Sequence, residues 1–177
     1  MAKRRIEGSF VALITPMNTD GSVDFEGFRT LLNFQEQNGS SAVLIMGSTG
    51  EVSMLTPEER RQVISETIKM RTGKMEFWYG CTGPSTEQTI GYVDYASKEG
   101  ADGAIIAAPP YICAPDEDIT DYFLEVADAS NIPMVQKRTS STGGKGRGRA
   151  RQPTTTTKRR SRSSREIERG RTRNSRC

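Results

Sequence analysis

Five short apolar runs recur along the first 135 residues at nearly constant spacing, and this repeat constrains the fold more than anything else in the chain. The runs are Ser9 to Ile14, Ala42 to Met46, Glu76 to Gly80, Gly103 to Ala107 and Ile132 to Val135. They are rich in β-branched and aromatic residues and read as buried strands. Their starts lie 33, 34, 27 and 29 residues apart, with one helical pattern in each gap. That is the period of a β-α repeat.

The helical patterns carry their own punctuation. Asp24 reads as the N-cap of a first helix with Phe25, Phe28 and Leu32 on one face, ended by Asn38-Gly39. Thr56, Pro57 and Glu59 form a capping box with proline at the first helical position, ahead of Val63, Ile64, Thr67 and Ile68. Ser85 with Gln88 reads as a second capping box before Ile90 and Val93, closed by Gly100. Asp116 reads as the cap of a fourth helix bearing Ile119, Phe123 and Val126. Its acidic first turn, Asp116, Glu117 and Asp118, complements the helix dipole.

Strict alternation with near-continuous apolar strands implies a parallel sheet covered by helices, either closed as a barrel or doubly wound. A dinucleotide-binding fold would place G-x-G-x-x-G after the first strand, where this chain has Ile14-Thr15-Pro16-Met17. The expected fold is therefore of the (β/α)₈ TIM-barrel class. A complete barrel needs about 250 residues, and this chain has 177. Only the first five βα units are present, over residues 1–135. Strands one and five would then be open edges, which favours aggregation or partner pairing and predicts poor solubility or a molten state.

Composition changes abruptly after Val135. Residues 1–135 hold 10 Lys and Arg against 20 Asp and Glu, a net of −10, whereas residues 136–177 hold 15 against 2, a net of +13. The apolar residues of the second segment are Ala150, Ile167 and Cys177, with no aromatic. Such a segment cannot bury enough surface to offset the entropy of ordering it, so residues 136–177 are expected to form a disordered basic tail. The three cysteines, Cys81, Cys113 and Cys177, show no paired spacing, and histidine is absent. Neither a zinc site nor His-based acid-base catalysis is expected, and no metal or cofactor is implied. An opening Met-Ala-Lys-Arg-Arg with no apolar signal core, and no run near 20 apolar residues, points to a cytoplasmic setting without membrane contact.

Gly47-Ser48-Thr49-Gly50-Glu51 directly follows the second strand and so falls on a loop at the C-terminal face, where barrel enzymes place their sites. Two glycines permit close backbone approach, and successive N–H groups with two hydroxyls can hold a carboxylate. On these five residues alone an ordinary Gly-Ser turn is the simpler reading.

Other segments shift that reading. The first of them is Gly8-Ser9-Phe10-Val11-Ala12-Leu13-Ile14-Thr15-Pro16. Asp20-Gly21, Val23-Asp24, Gly47 to Glu51, Leu55-Thr56, Glu58-Glu59-Arg60 and Pro109-Pro110-Tyr111 follow in order. Together these resemble the dihydrodipicolinate synthase and N-acetylneuraminate lyase family of pyruvate-dependent class I aldolases, over residues 8–135. The resemblance implies a lyase, aldolase or dehydratase in which a lysine on the sixth strand forms a Schiff base with pyruvate or another 2-oxo acid. It assigns substrate binding to Gly47, Ser48, Thr49, Gly50, Glu51 and Tyr111. The partner it implies is a small 2-oxo acid. It also implies a homo-oligomer, which a five-strand fragment is not expected to reproduce.

Three positions depart from the family pattern. Ser48 replaces the synthases' threonine but keeps a hydroxyl. Ile112 replaces a second tyrosine that relays protons in the synthases, which isoleucine cannot do. A sibling enzyme with another 2-oxo acid fits better, and Tyr111 is equally readable as a packing aromatic. Lys137 stands where the family has a strand-five tyrosine. In so basic a run it reads as a solvated lysine rather than a Schiff-base donor.

No catalytic lysine is found elsewhere. Lys3 is terminal, Lys69 and Lys98 fall on helices, and Lys74 precedes the third strand at the opposite end. Gapless extension puts Arg165 where the family lysine belongs, and a guanidinium cannot act as the nucleophilic amine. The expectation is an enzyme half, truncated or frame-shifted near codon 136, and inactive. The alternative is a genuine tail in which Gly143 to Arg149 resembles an RGG element and Ser161 to Arg165 an RS element. Such a tail would bind nucleic-acid phosphates without sequence preference.

Overall fold

The computed structural model describes residues 7–109 and 114–137. Its strands are β1 (Phe10–Ala12), β2 (Ala42–Ile45), β3 (Glu76–Gly80), β4 (Gly103–Ala107) and β5 (Met134–Lys137). Between them run α1 (Phe25–Gln37), α2 (Pro57–Lys69), α3 (Thr86–Glu99) and α4 (Asp116–Ala129), with a single 3-10 turn at Val52–Met54. All strand pairs are parallel and the order is β1-β2-β3-β4-β5. The sheet curls into a half-barrel with its helices outside, matching the first five βα units of a TIM barrel.

Capping signals fix where the helices start. The Asp24 carboxylate accepts the Gly27 N–H at 2.9 Å. Thr56 and Glu59 form the reciprocal box: the Thr56 hydroxyl accepts the Glu59 N–H, and the Glu59 carboxylate accepts the Thr56 N–H at 2.8 Å. The Thr56 N–H, and the Thr56 hydroxyl donating to the same carboxylate at 2.9 Å, hold the Glu59 carboxyl below its usual pKa. At α3 the Ser85 half of the expected box forms, with its hydroxyl accepting the Gln88 N–H. Gly100, at φ 98°, closes that helix in the left-handed region.

The start of α4 corrects the sequence reading. Pro115 occupies the cap and Asp116 is the first helical residue, with no side-chain cap. Proline presets the extended backbone a cap needs, while Asp116 still contributes its charge to the first turn.

Strand alternation sends one set of side chains outward to the helices and one inward. Val43, Ile45, Phe77, Tyr79, Ala104 and Ile106 point outward and are essentially fully buried. They pack with Phe28, Leu32, Val63, Ile64, Val93, Ala96 and Val126 from the helices. Phe10, Leu44, Ile105, Ala107 and Val135 face inward and are only half-buried. Trp78 is the buried inward residue of β3, at 2% exposure. Its ring meets Phe10 edge-on at 5.9 Å, and its indole N–H donates to Glu76 at 2.9 Å. A Cβ at Gly103 would collide with the Trp78 ring, so glycine there makes the space.

Two strand boundaries differ from expectation. β1 pairs over three residues only, and Ile14, assigned to it from its apolarity, is 57% exposed. β5 lies two residues later than expected, because Gln136 and Lys137 pair with Ile106 and Ala107. The reading of residues 136–177 as disordered is thus corrected for its first two residues. Residues 138–177 lie outside the described part. No helix among the described residues is long and apolar enough to cross a membrane.

Candidate functional site

The C-terminal ends of the strands form a rim, and the loop after β2 is its most constrained part. Met46 leaves the strand at φ 57°, a left-handed conformation costly for a side chain with a Cβ, and its burial holds it there. Gly80 at the end of β3 allows this turn, since a Cβ on it would run into the Met46 carbonyl oxygen. Two tight turns follow: the Gly50 N–H donates to Gly47 O at 3.0 Å and the Glu51 N–H to Ser48 O at 3.2 Å. The Thr15 hydroxyl ties the loop to the chain beyond β1 by donating to Gly50 O at 2.7 Å.

The consequence is a division of labour within Gly47 to Glu51. Gly47 and Gly50 are buried, and a Cβ at either would press on Leu44 or on the Leu13 and Thr15 oxygens. Glu51, at φ 52°, starts the 3-10 turn and points to solvent. Ser48 and Thr49 stand exposed at the apex. Neither of their N–H groups appears in a hydrogen bond among the described residues.

Arg60, in the first turn of α2, secures the loop from below. Its guanidinium donates to Val52 O at 2.8 Å and to Thr82 O at 3.1 Å, and lies 5.2 Å from the Tyr92 ring centroid. Thr82 in turn accepts the Ala107 N–H at 2.8 Å. The loops after β2, β3 and β4 are thereby laced together. Cys81 lies beneath this lacing, fully buried, and burial pushes its thiol pKa up to about 12. It is a protonated packing residue at neutral pH, not a nucleophile.

Lys137 was not expected here. It is the last residue of β5, in register with Ala107, on the same side of the strand as the inward-facing Val135. From there its Nζ spans the mouth and donates to the Ser48 hydroxyl at 2.6 Å. The side chain is exposed, as a solvated lysine is, and it also touches the rim loop, which its reading from the sequence did not include. The signal was its position, two residues past an inward valine at a strand end; its basic neighbours masked that.

Among the described residues the other lysines stay away from the rim. Lys69 pairs with Glu66 at 2.7 Å and Lys98 with Asp94 at 2.6 Å, both along helix surfaces. Lys74 lines an open cavity of about 430 Å³ with Glu36, Gly39, Ser40 and Glu76, at the N-terminal ends of the strands. Tyr111 and Ile112 lie outside the described residues.

A parallel half-barrel with a hydroxyl-bearing, amide-rich loop at its C-terminal rim is the front half of a (β/α)₈-barrel scaffold. The sequence match is specific: residues 5–144 fit the dihydrodipicolinate synthetase family, and the chain belongs to it. It is 38% identical over 135 residues to 4-hydroxy-tetrahydrodipicolinate synthase of Gluconacetobacter diazotrophicus, which covers 76% of this chain and 46% of that protein. Dihydrodipicolinate synthase of Aquifex aeolicus superposes with a TM-score of 0.70 at 36% identity, over 74% of this chain and 44% of that one. The Acinetobacter baumannii synthase, solved in complex with pyruvate, gives 0.72 at 32% identity over 75% and 45%. The chain therefore spans under half the length of the relatives it matches.

Proposed function

We propose that this chain carries the carboxylate-binding half of a site for pyruvate or a related 2-oxo acid and, by itself, no Schiff-base chemistry. The observation that supports this most is the apex of the rim loop. Ser48 and Thr49 offer two hydroxyls and two uncommitted N–H groups in one place, on a backbone held by Thr15, Arg60 and Gly80. Successive donors of this kind suit an anion. The relatives are synthases of this family, one of them solved with pyruvate bound. Tyr111 belongs to the same proposed set.

The missing step is attack of an uncharged amine on the substrate's C2 ketone, with loss of water. Gapless reading puts Arg165 where the family lysine belongs, inside Ser163-Ser164-Arg165-Glu166 with no apolar strand around it. Incubating the 177-residue chain with pyruvate and borohydride, then measuring intact mass, tests the reading. No stable adduct is expected. An adduct on Lys137, whose amine reaches the Ser48 hydroxyl, would overturn it.

The composition break after Val135 supports a frame shift near codon 136 as the origin of residues 136–177. Translating the coding DNA in its other two frames should recover a strand ending in Tyr-Asn-x-Pro and a lysine about 28 residues further on. If neither frame holds them, the frame shift fails and a genuine basic tail is the alternative. Its +13 charge then becomes a salt-sensitive phosphate-binding arm.

A further inference from the structure

We propose that Lys137 supplies the positive charge of the anion site, pairing with the 2-oxo acid carboxylate that Ser48 and Thr49 hydrogen-bond. The inference rests on the carboxylate-binding reading above, concerns the 177-residue chain whatever the origin of residues 136–177, and adds the group that selects for charge. The loop provides donors but no cation of its own, and the charged residue within Gly47 to Glu51 is the acidic Glu51. The cation arrives from 89 residues away, with Lys137 Nζ 2.6 Å from Ser48 Oγ. Among the described residues Lys137 makes no ion pair, whereas Lys69 and Lys98 are matched to carboxylates. Its remaining N–H bonds are open to an incoming oxygen.

Geometry makes this arrangement specific to the curled sheet. β2 and β5 are separated by two strands, so their ends approach each other only because the sheet curls. A lysine pointing outward at the same strand end would meet the helices instead. Ser48 is thus bridged from both sides: its backbone is fixed by the turn, and its hydroxyl oxygen accepts from Lys137, leaving the hydroxyl hydrogen free to donate to a carboxylate. A charge-assisted contact at an exposed mouth contributes about a tenfold change in affinity.

The test uses the full 177-residue chain. Pyruvate and its methyl ester are titrated by ligand-observed NMR against wild type, Lys137→Met, Lys137→Arg and Ser48→Ala, with Trp78 fluorescence checking that each variant is folded. Pyruvate affinity should fall about tenfold in Lys137→Met and be largely kept in Lys137→Arg, while the uncharged ester should bind equally weakly to wild type and Lys137→Met. Acetylation of Lys137 by a water-soluble reagent should slow when pyruvate is added, with Lys69 and Lys98 unaffected. This second readout needs no variant. Pyruvate binding unchanged in Lys137→Met, or no protection of Lys137, overturns the role of the lysine and leaves the loop reading intact. No saturable pyruvate binding to wild type overturns both.

Discussion

Ile105 and Ile106 are neighbours on β4, yet they belong to different regions of the molecule. Ile106 points outward into the helix layer and is 1% exposed, whereas Ile105 points inward and remains half-buried. The difference runs along the whole sheet. Each βα unit brings its own helix, so the outward face is closed by sequence-local packing, and loop-closure costs stay low. The inward face has no such local partner; in a complete barrel it packs against side chains from strands across the ring. The outward layer is therefore self-sufficient in this chain. Among the described residues the inward layer is covered at Ala42 and at Trp78, whose ring meets Phe10 edge-on and fills the space a Cβ on Gly103 would take.

The largest effect should come from the outward side. Ile106→Ala removes three carbons from a fully packed position and is expected to cost about 2–5 kcal/mol. Urea unfolding followed by the fluorescence of Trp78, the single tryptophan, reads it. A midpoint within error of wild type would mean that the helices do not seal that face in solution.

A smaller effect is expected at the seam between the two regions. Gly80→Ala forces a methyl against the Met46 carbonyl, a backbone atom that cannot rotate aside. The cost should be about 1–3 kcal/mol. Because Met46 leads directly into Gly47 and Ser48, pyruvate binding should weaken more than stability alone explains. If Gly80→Ala binds pyruvate as wild type does, the rim loop is not braced by that contact.

How much of this was legible from the residues follows the same division. The outward layer announces itself through period: Phe28 and Leu32, Val63, Ile64 and Thr67, and the alternating strands all show in the sequence. Boundaries failed where backbone pairing and apolarity part company. Gln136 and Lys137 are polar yet hydrogen-bond into the sheet beside Ile106 and Ala107, and Ile14 is apolar yet lies beyond the last pair. The rim loop was visible as a loop, because glycine spacing marks a turn. Its bracing was not, since Thr15, Arg60 and Thr82 are ordinary residues whose partners lie 35, 22 and 25 positions away. The Lys137 contact to Ser48 is the extreme case; it exists only once the sheet has curled.

The smallest effect should be Ile105→Ala. It makes the same chemical change as Ile106→Ala one residue away, so the two variants share helix propensities, unfolded-state changes and strand context, and differ in face alone. A half-exposed side chain with nothing packed over it forfeits only part of its transfer free energy and leaves no closed cavity, which puts the cost below about 1 kcal/mol. A cost approaching that of Ile106→Ala would show that the inward face is covered in solution. Concentration then separates the possible covers: a penalty that grows with protein concentration requires a second copy seated on the inward face through the open edges of β1 and β5, and one independent of concentration places the cover within the chain itself.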